Sequence, residues 1–121
     1  MPIVKVSYRP PIMATVAKDL AVELPRIVAN ALTCDNPDGG LTTKDVEIEV
    51  RLMHPGLQTA YDLHIEVEAN EYPERRENLE RRTHQILLGV RTVFNSIPFW
   101  KSGPPRGWVW VKLFPAHWGE I

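Results

Sequence analysis

Four stretches of this chain alternate apolar and polar residues one by one, and stripes of apolar residues at helical spacing separate the first from the second and the third from the fourth. In the first stretch Val4, Val6 and Tyr8 alternate with Lys5, Ser7 and Arg9 until Pro10-Pro11. A period of two is the mark of a strand with one buried face. In the second, Val46, Ile48, Val50 and Leu52 alternate with Glu47, Glu49, Arg51 and Met53; in the third, Leu63, Ile65, Val67 and Ala69 alternate with Asp62, His64, Glu66 and Glu68. Trp108 to Leu113 reads as a fourth strand.

Between the first pair, Val16, Ala17, Leu20, Leu24, Ile27, Val28, Ala31 and Leu32 recur at three and four, one face of an amphipathic helix. Pro25 should kink that helix, but the stripe stays in phase across it, so one bent helix is expected. The loop Asn36-Pro37-Asp38-Gly39-Gly40 stops it. Between the second pair, Pro73 opens a helix with Glu74 near its positive end. Leu79, Ile86, Leu87, Val90, Val93 and Phe94 give it an apolar face, and the charged run Glu74 to Arg82 reads as a solvated outer face laced with short-range ion pairs.

A helix between two strands of one sheet implies a parallel, right-handed crossover. The expected architecture is therefore α+β: one domain over residues 1–121, built of two β-α-β units that share a four-stranded mixed sheet with both helices on one face. The greasy side of each strand must then meet the helices. The other side, with Glu47, Glu49, Arg51, His64, Glu66 and Glu68, has no cover from its own chain, so it faces water or other subunits.

Composition narrows the function. The 14 Lys and Arg nearly cancel the 15 Asp and Glu, which leaves no electrostatic footprint for nucleic acid. No apolar run is long enough for a signal peptide or a membrane span. The single cysteine, Cys34, rules out an intrachain disulfide and a cysteine metal cluster and fits a reducing cytoplasm; it sits among carboxylates that oppose a thiolate.

The one unusual functional group on offer is at Pro2. If Met1 is removed, as is usual before a small residue, Pro2 carries a free secondary amine. An α-amino group titrates near neutrality, at roughly 7.7–8, and apolar surroundings lower that by disfavouring the charged form. Such an amine can act as general base or acid.

The opening Met1-Pro2-Ile3-Val4-Lys5-Val6, the run Leu41-Thr42-Thr43-Lys44-Asp45-Val46-Glu47-Ile48 and the closing Trp108-Val109-Trp110-Val111 with Phe114-Pro115-Ala116-His117-Trp118 resemble the tautomerase superfamily. The stretch from Leu63-His64 to Glu71-Tyr72-Pro73-Glu74-Arg75-Arg76 is similar to the carboxymethyl-hydroxymuconate isomerase and chloroacrylic acid dehalogenase branches. The resemblance implies a homotrimer in which Pro2 shuttles a proton on a small keto-enol or unsaturated acid, with no metal or cofactor and no nucleic-acid or membrane partner. In hydratase, dehalogenase or decarboxylase members the same nitrogen is thought to stay protonated and to donate. It also implies a cation for the substrate carboxylate and an aromatic wall from the fourth strand, where Trp110 stands in the place of a tyrosine.

The chain departs from the pattern at several points. Glu47 occupies the place of the second-strand arginine of the oxalocrotonate branch, Ile12 that of an arginine near the first helix, and Ala69-Asn70-Glu71-Tyr72-Pro73 that of glycine- and arginine-containing motifs. The cations left for the carboxylate are Arg9, Arg51, Arg75, Arg76 and Lys112. Lys112, on the face of Trp108 and Trp110, and Arg51 are the substrate-binding choices beside Trp110. His64 and His117 have no second ligand at metal spacing and read as structural or solvated; Trp118 reads as a packing anchor, and Glu120 as a tail carboxylate that could position water. A trimeric scaffold that kept the fold and lost catalysis is the remaining alternative.

Overall fold

A computed structural model describes residues 2–35, 39–101, 103–115 and 121 of the chain. The strands are β1 (Ile3–Tyr8), β2 (Glu47–Leu52), β3 (Leu63–Asn70) and β4 (Gly107–Phe114), and the helices α1 (Ala14–Leu32), α2 (Pro73–Glu77) and α3 (Leu79–Asn95), with a 3₁₀ turn at Thr43–Asp45. The sheet order is β2-β1-β3-β4. β1 runs parallel to β2 and β3 parallel to β4, while β1 and β3 are antiparallel, so two crossover units join at a mixed seam. This is the α+β architecture expected from the alternation.

Register settles the faces. Val4 pairs with Ile48 and Val67, and Val67 with Val111, so the apolar positions of all four strands share one side of the sheet. Val4, Val6, Ile65 and Val67 are fully buried there against Leu20, Leu24, Val28, Ile86 and Phe94 of the two long helices. α1 keeps Pro25 inside a single nineteen-residue helix. Asn36, Pro37 and Asp38, expected to stop it, lie outside the described residues.

Three expectations need correction. The helix expected from Pro73 to Phe94 is two, broken at Asn78, a poor helix former whose backbone leaves the helical region at φ −111°, ψ 20°. The outer charged run is not wholly solvated: Arg75 is 2% and Arg82 7% exposed. Both turn inward to the open end of α1, whose last carbonyls have no partner within the helix. Arg75 donates through Nε to Leu32 O at 2.8 Å and reaches Asn70 O and Gly39 O at 3.0 and 3.1 Å; Arg82 Nη1 donates to Ala31 O and Thr33 O at 2.9 and 2.8 Å. Two cations at the negative pole of α1 suit its dipole. Finally, the greasy side of β2 is only partly sheltered. Val50 is 37% and Leu52 60% exposed, because β2 is an edge strand beyond the reach of α1 along its second half.

Candidate functional site

Pro2 enters the fold at the end of the central strand β1. It is buried, and its carbonyl accepts the Glu47 amide at 3.0 Å, which ties it to the start of β2. Ile3 pairs with Glu47 on one side and Glu68 on the other, so Pro2 stands one step further, level with Val46 and Ala69 on the helix side. Both are buried, at 8% and 5% exposure, and both are aliphatic. An amine in such surroundings loses hydration of its charged form.

Polar groups crowd the same end of the sheet. Asp45, two residues ahead of Glu47, closes the 3₁₀ turn: its Oδ2 accepts the Thr42 amide at 2.7 Å and the Thr42 hydroxyl at 3.1 Å. Those two hydrogen bonds hold its carboxyl below the usual carboxylate range, the backbone one first. Arg75 reaches this end from the helix side through its bond to the Asn70 carbonyl. Burial pulls its pKa down and Arg82 adds to that, while Cys34 and Tyr72 oppose it.

The uncovered face of the sheet carries a quartet of charges. Lys5 bonds Glu68 at 3.5 Å and Lys112 bonds Glu66 at 3.4 Å, each lysine reaching diagonally across β3. The Lys112 ammonium also lies 4.2 Å from the centre of the Trp110 ring, so two of the residues singled out from the sequence do meet. Lys112 is in register with Glu68, which is in register with Ile3, placing it two strands, about 10 Å, from the start of β1. Arg51 is elsewhere. It pairs with Ser7, donates to the Ser7 hydroxyl at 3.1 Å and approaches Glu49 at 3.8 Å, four residues and about 13 Å along β1 from Ile3.

Of the other cations, Arg9 is held by Asp62 at 2.9 Å and by the Thr59 carbonyl, and Arg76 pairs with Glu71. Lys5 was not among the cations drawn from the sequence, yet it lies nearer the start of β1 than Arg51 does. The signal was its place three residues after Pro2 on the polar side of the first strand. His64 stacks on Trp108 with ring centres 4.4 Å apart and shares a 3.2 Å hydrogen bond with the Thr59 hydroxyl. Among the described residues, no three metal-ligating side chains come together. His117, Trp118 and Glu120 lie outside the described residues. No helix among those described is long and apolar enough to cross a membrane.

No protein-family model matches this sequence, and no curated protein does. Solved structures do match. A malonate semialdehyde decarboxylase shares 13% identity at a TM-score of 0.63, over 97% of this chain and 88% of its own. Its structural study includes a form with the first-position proline changed to alanine and addresses decarboxylase and hydratase activities. A macrophage migration inhibitory factor-like protein from Entamoeba histolytica shares 10% identity at a TM-score of 0.60, over 99% of this chain and 95% of its own. A fused 4-OT, described as an asymmetric trimer, shares 13% identity at 0.59, over 93% and 85%. The chain thus has a tautomerase-type α+β fold, a four-stranded mixed sheet with helices packed on it, and is structurally similar to members of that superfamily at low sequence identity.

Proposed function

We propose that Pro2, freed by removal of Met1, is the general acid/base of a cofactor-independent tautomerase acting on a small keto-enol or unsaturated acid. The observation that carries this reading is the burial of Pro2 among aliphatic side chains at the end of the central strand. A neutral amine there takes a proton from the enol oxygen or an adjacent carbon and returns it to another carbon, so the ligand changes isomer and the enzyme ends as it began. Lys112 and Trp110 lie on the bare face, opposite the helix side that shelters Pro2, so they supply a cation and an aromatic wall to a ligand that reaches round the end of the sheet. Arg51 lies too far along its own strand to reach the same ligand, so its place in the site requires a neighbouring copy, in keeping with a homotrimer. The uncovered sheet face and the trimeric 4-OT neighbour support that assembly.

A second reading, favoured by Asp45, is hydration, dehalogenation or decarboxylation of a small three-carbon acid. A carboxylate kept ionised beside the start of β1 favours the ammonium form of Pro2, which would then donate a proton. The decarboxylase among the structural neighbours fits this alternative.

The test begins with the mass of the purified protein, which should lack Met1. Phenylenolpyruvate and 2-hydroxymuconate are then assayed with wild type and Pro2→Ala; a loss of roughly 100-fold or more is expected for removal of a general acid/base. Equal rates would leave a non-catalytic scaffold. A pH-rate profile that rises towards neutrality marks a working base, and one that falls marks a working acid.

A further inference from the structure

We propose that the groove between α3 and the edge strand β4 is a second ligand site, for a small carboxylic acid with a branched or aromatic apolar end. The groove is large, about 880 Å³, and along its floor a narrow cleft of about 40 Å³ descends between α3 and the sheet. Leu63, Ile65, Leu87, Val90 and Val109 form its aliphatic wall, and Pro105, Trp108 and backbone at Gly107 add to its lining. Gly107 makes it possible: a Cβ there would stand 2.6 Å from the Leu63 carbonyl oxygen, so only glycine lets β4 start this close to β3 without a side chain filling the entrance.

Arg91 lines both the groove and the cleft. Among the described residues it has no ion pair or hydrogen bond. The acids of the same groove, Glu77 and Glu80, lie at its far end, Glu80 eleven residues or about 16 Å away along the helix. Asp62, near the start of β4, is engaged by Arg9 at 2.9 Å and Arg106 at 3.7 Å. Among the described residues, the charge beside the cleft is thus positive and uncommitted. A guanidinium beside an apolar wall matches a carboxylate by two parallel N–H···O bonds, while the ligand's apolar end replaces water in the wide groove over Leu87, Trp108 and Val109, above the mouth of the narrow cleft. An amine of the same shape would be repelled. Leu63 lies six residues along β3 from Ala69, the level of Pro2, so about 20 Å separates the two sites and this one does not depend on the reading of Pro2.

The full-length protein, labelled at its methyl groups, is titrated with phenylacetate and followed by NMR. Saturable shifts are expected at the methyls of Leu63, Leu87 and Val109. Arg91→Met should weaken binding roughly tenfold or more, the scale of a lost charge-assisted pair, while its melting temperature stays that of wild type because Arg91 is exposed. Pro2→Ala should bind as wild type does. The proposal is overturned by equal affinity in Arg91→Met, by equal shifts with phenethylamine, by shifts confined to the Pro2 end, or by no saturable shift at these methyls, the outcome expected if another copy of the chain covers the groove.

Discussion

Arg75 and Arg76 are neighbours in sequence and opposites in the fold. Arg75 spends three donors on the carbonyls of Leu32, Asn70 and Gly39, whereas Arg76 lies outside and pairs with Glu71. Removing a buried donor orphans its acceptors, so Arg75→Met should cost about 1–3 kcal/mol in urea denaturation, and Arg76→Met no more than about 0.5 kcal/mol. The burial was partly legible in the sequence. Arg75, Leu79, Arg82, Ile86 and Val90 recur at four, three, four and four, in phase with the apolar face, but guanidiniums are so seldom buried that composition outweighed position. What they would bond to could not be read, because the orphan carbonyls belong to a different helix. His64 makes a second residue-scale prediction. Burial lowers its pKa from 6.5, Glu66 opposing and Arg9 adding. The folded protein then holds that proton less tightly than the unfolded chain does, so stability is full above the unfolded value and falls as pH drops through the window down to the lower folded one. His64→Asn should flatten the fall of the unfolding midpoint as pH drops below 6.5; an unchanged slope would assign the acid sensitivity to other groups.

Among the elements, the strands were the most legible because their period of two is a local property: the four alternating runs emerge within a residue or two of their expected ends. How each is sheltered was less so. β2 alternates as cleanly as β3, yet β3 is central and buries every second residue, while β2 leaves Val50 and Leu52 open at the edge. Shelter depends on sheet order, which periodicity does not contain. The helix pair has a similar hidden constraint at Gly89, where a Cβ would meet Ile27 Cγ2 at 2.7 Å. Alanine there gains about 1 kcal/mol of helix propensity but must displace a branched side chain packed between α1 and α3. Gly89→Ala should therefore destabilise by about 1–2 kcal/mol net, and combining it with Ile27→Ala should cost less than the two single changes added, a coupling read from a double-mutant cycle.

For the whole molecule, one side of the sheet is roofed by helices and the other is bare, with Trp110 55% and Phe114 46% exposed beside the charge quartet. The sequence showed that this face would lack cover, since only two helices serve four strands, but it did not show that charges and aromatics would be interleaved on it. At the open β2 edge, on the helix side of the sheet, Leu52 is already exposed, so Leu52→Lys should change the unfolding free energy by no more than about 0.5 kcal/mol. A lower sedimentation coefficient in that variant would then report a contact between copies along the β2 edge and not a damaged fold.

The order β2-β1-β3-β4 also has a bearing on how the polypeptide matures. The strand translated first becomes the middle of the sheet, and its two flanks arrive only after residues 47 and 63 have been synthesised. At about 5–20 residues per second, β1 and its covering helix emerge from the ribosome seconds before either neighbour is available to them. During that interval the apolar side of β1 has only α1 for company, so the nascent chain is most exposed to chaperone capture in its first half, and β3 is the segment whose arrival ends the exposure.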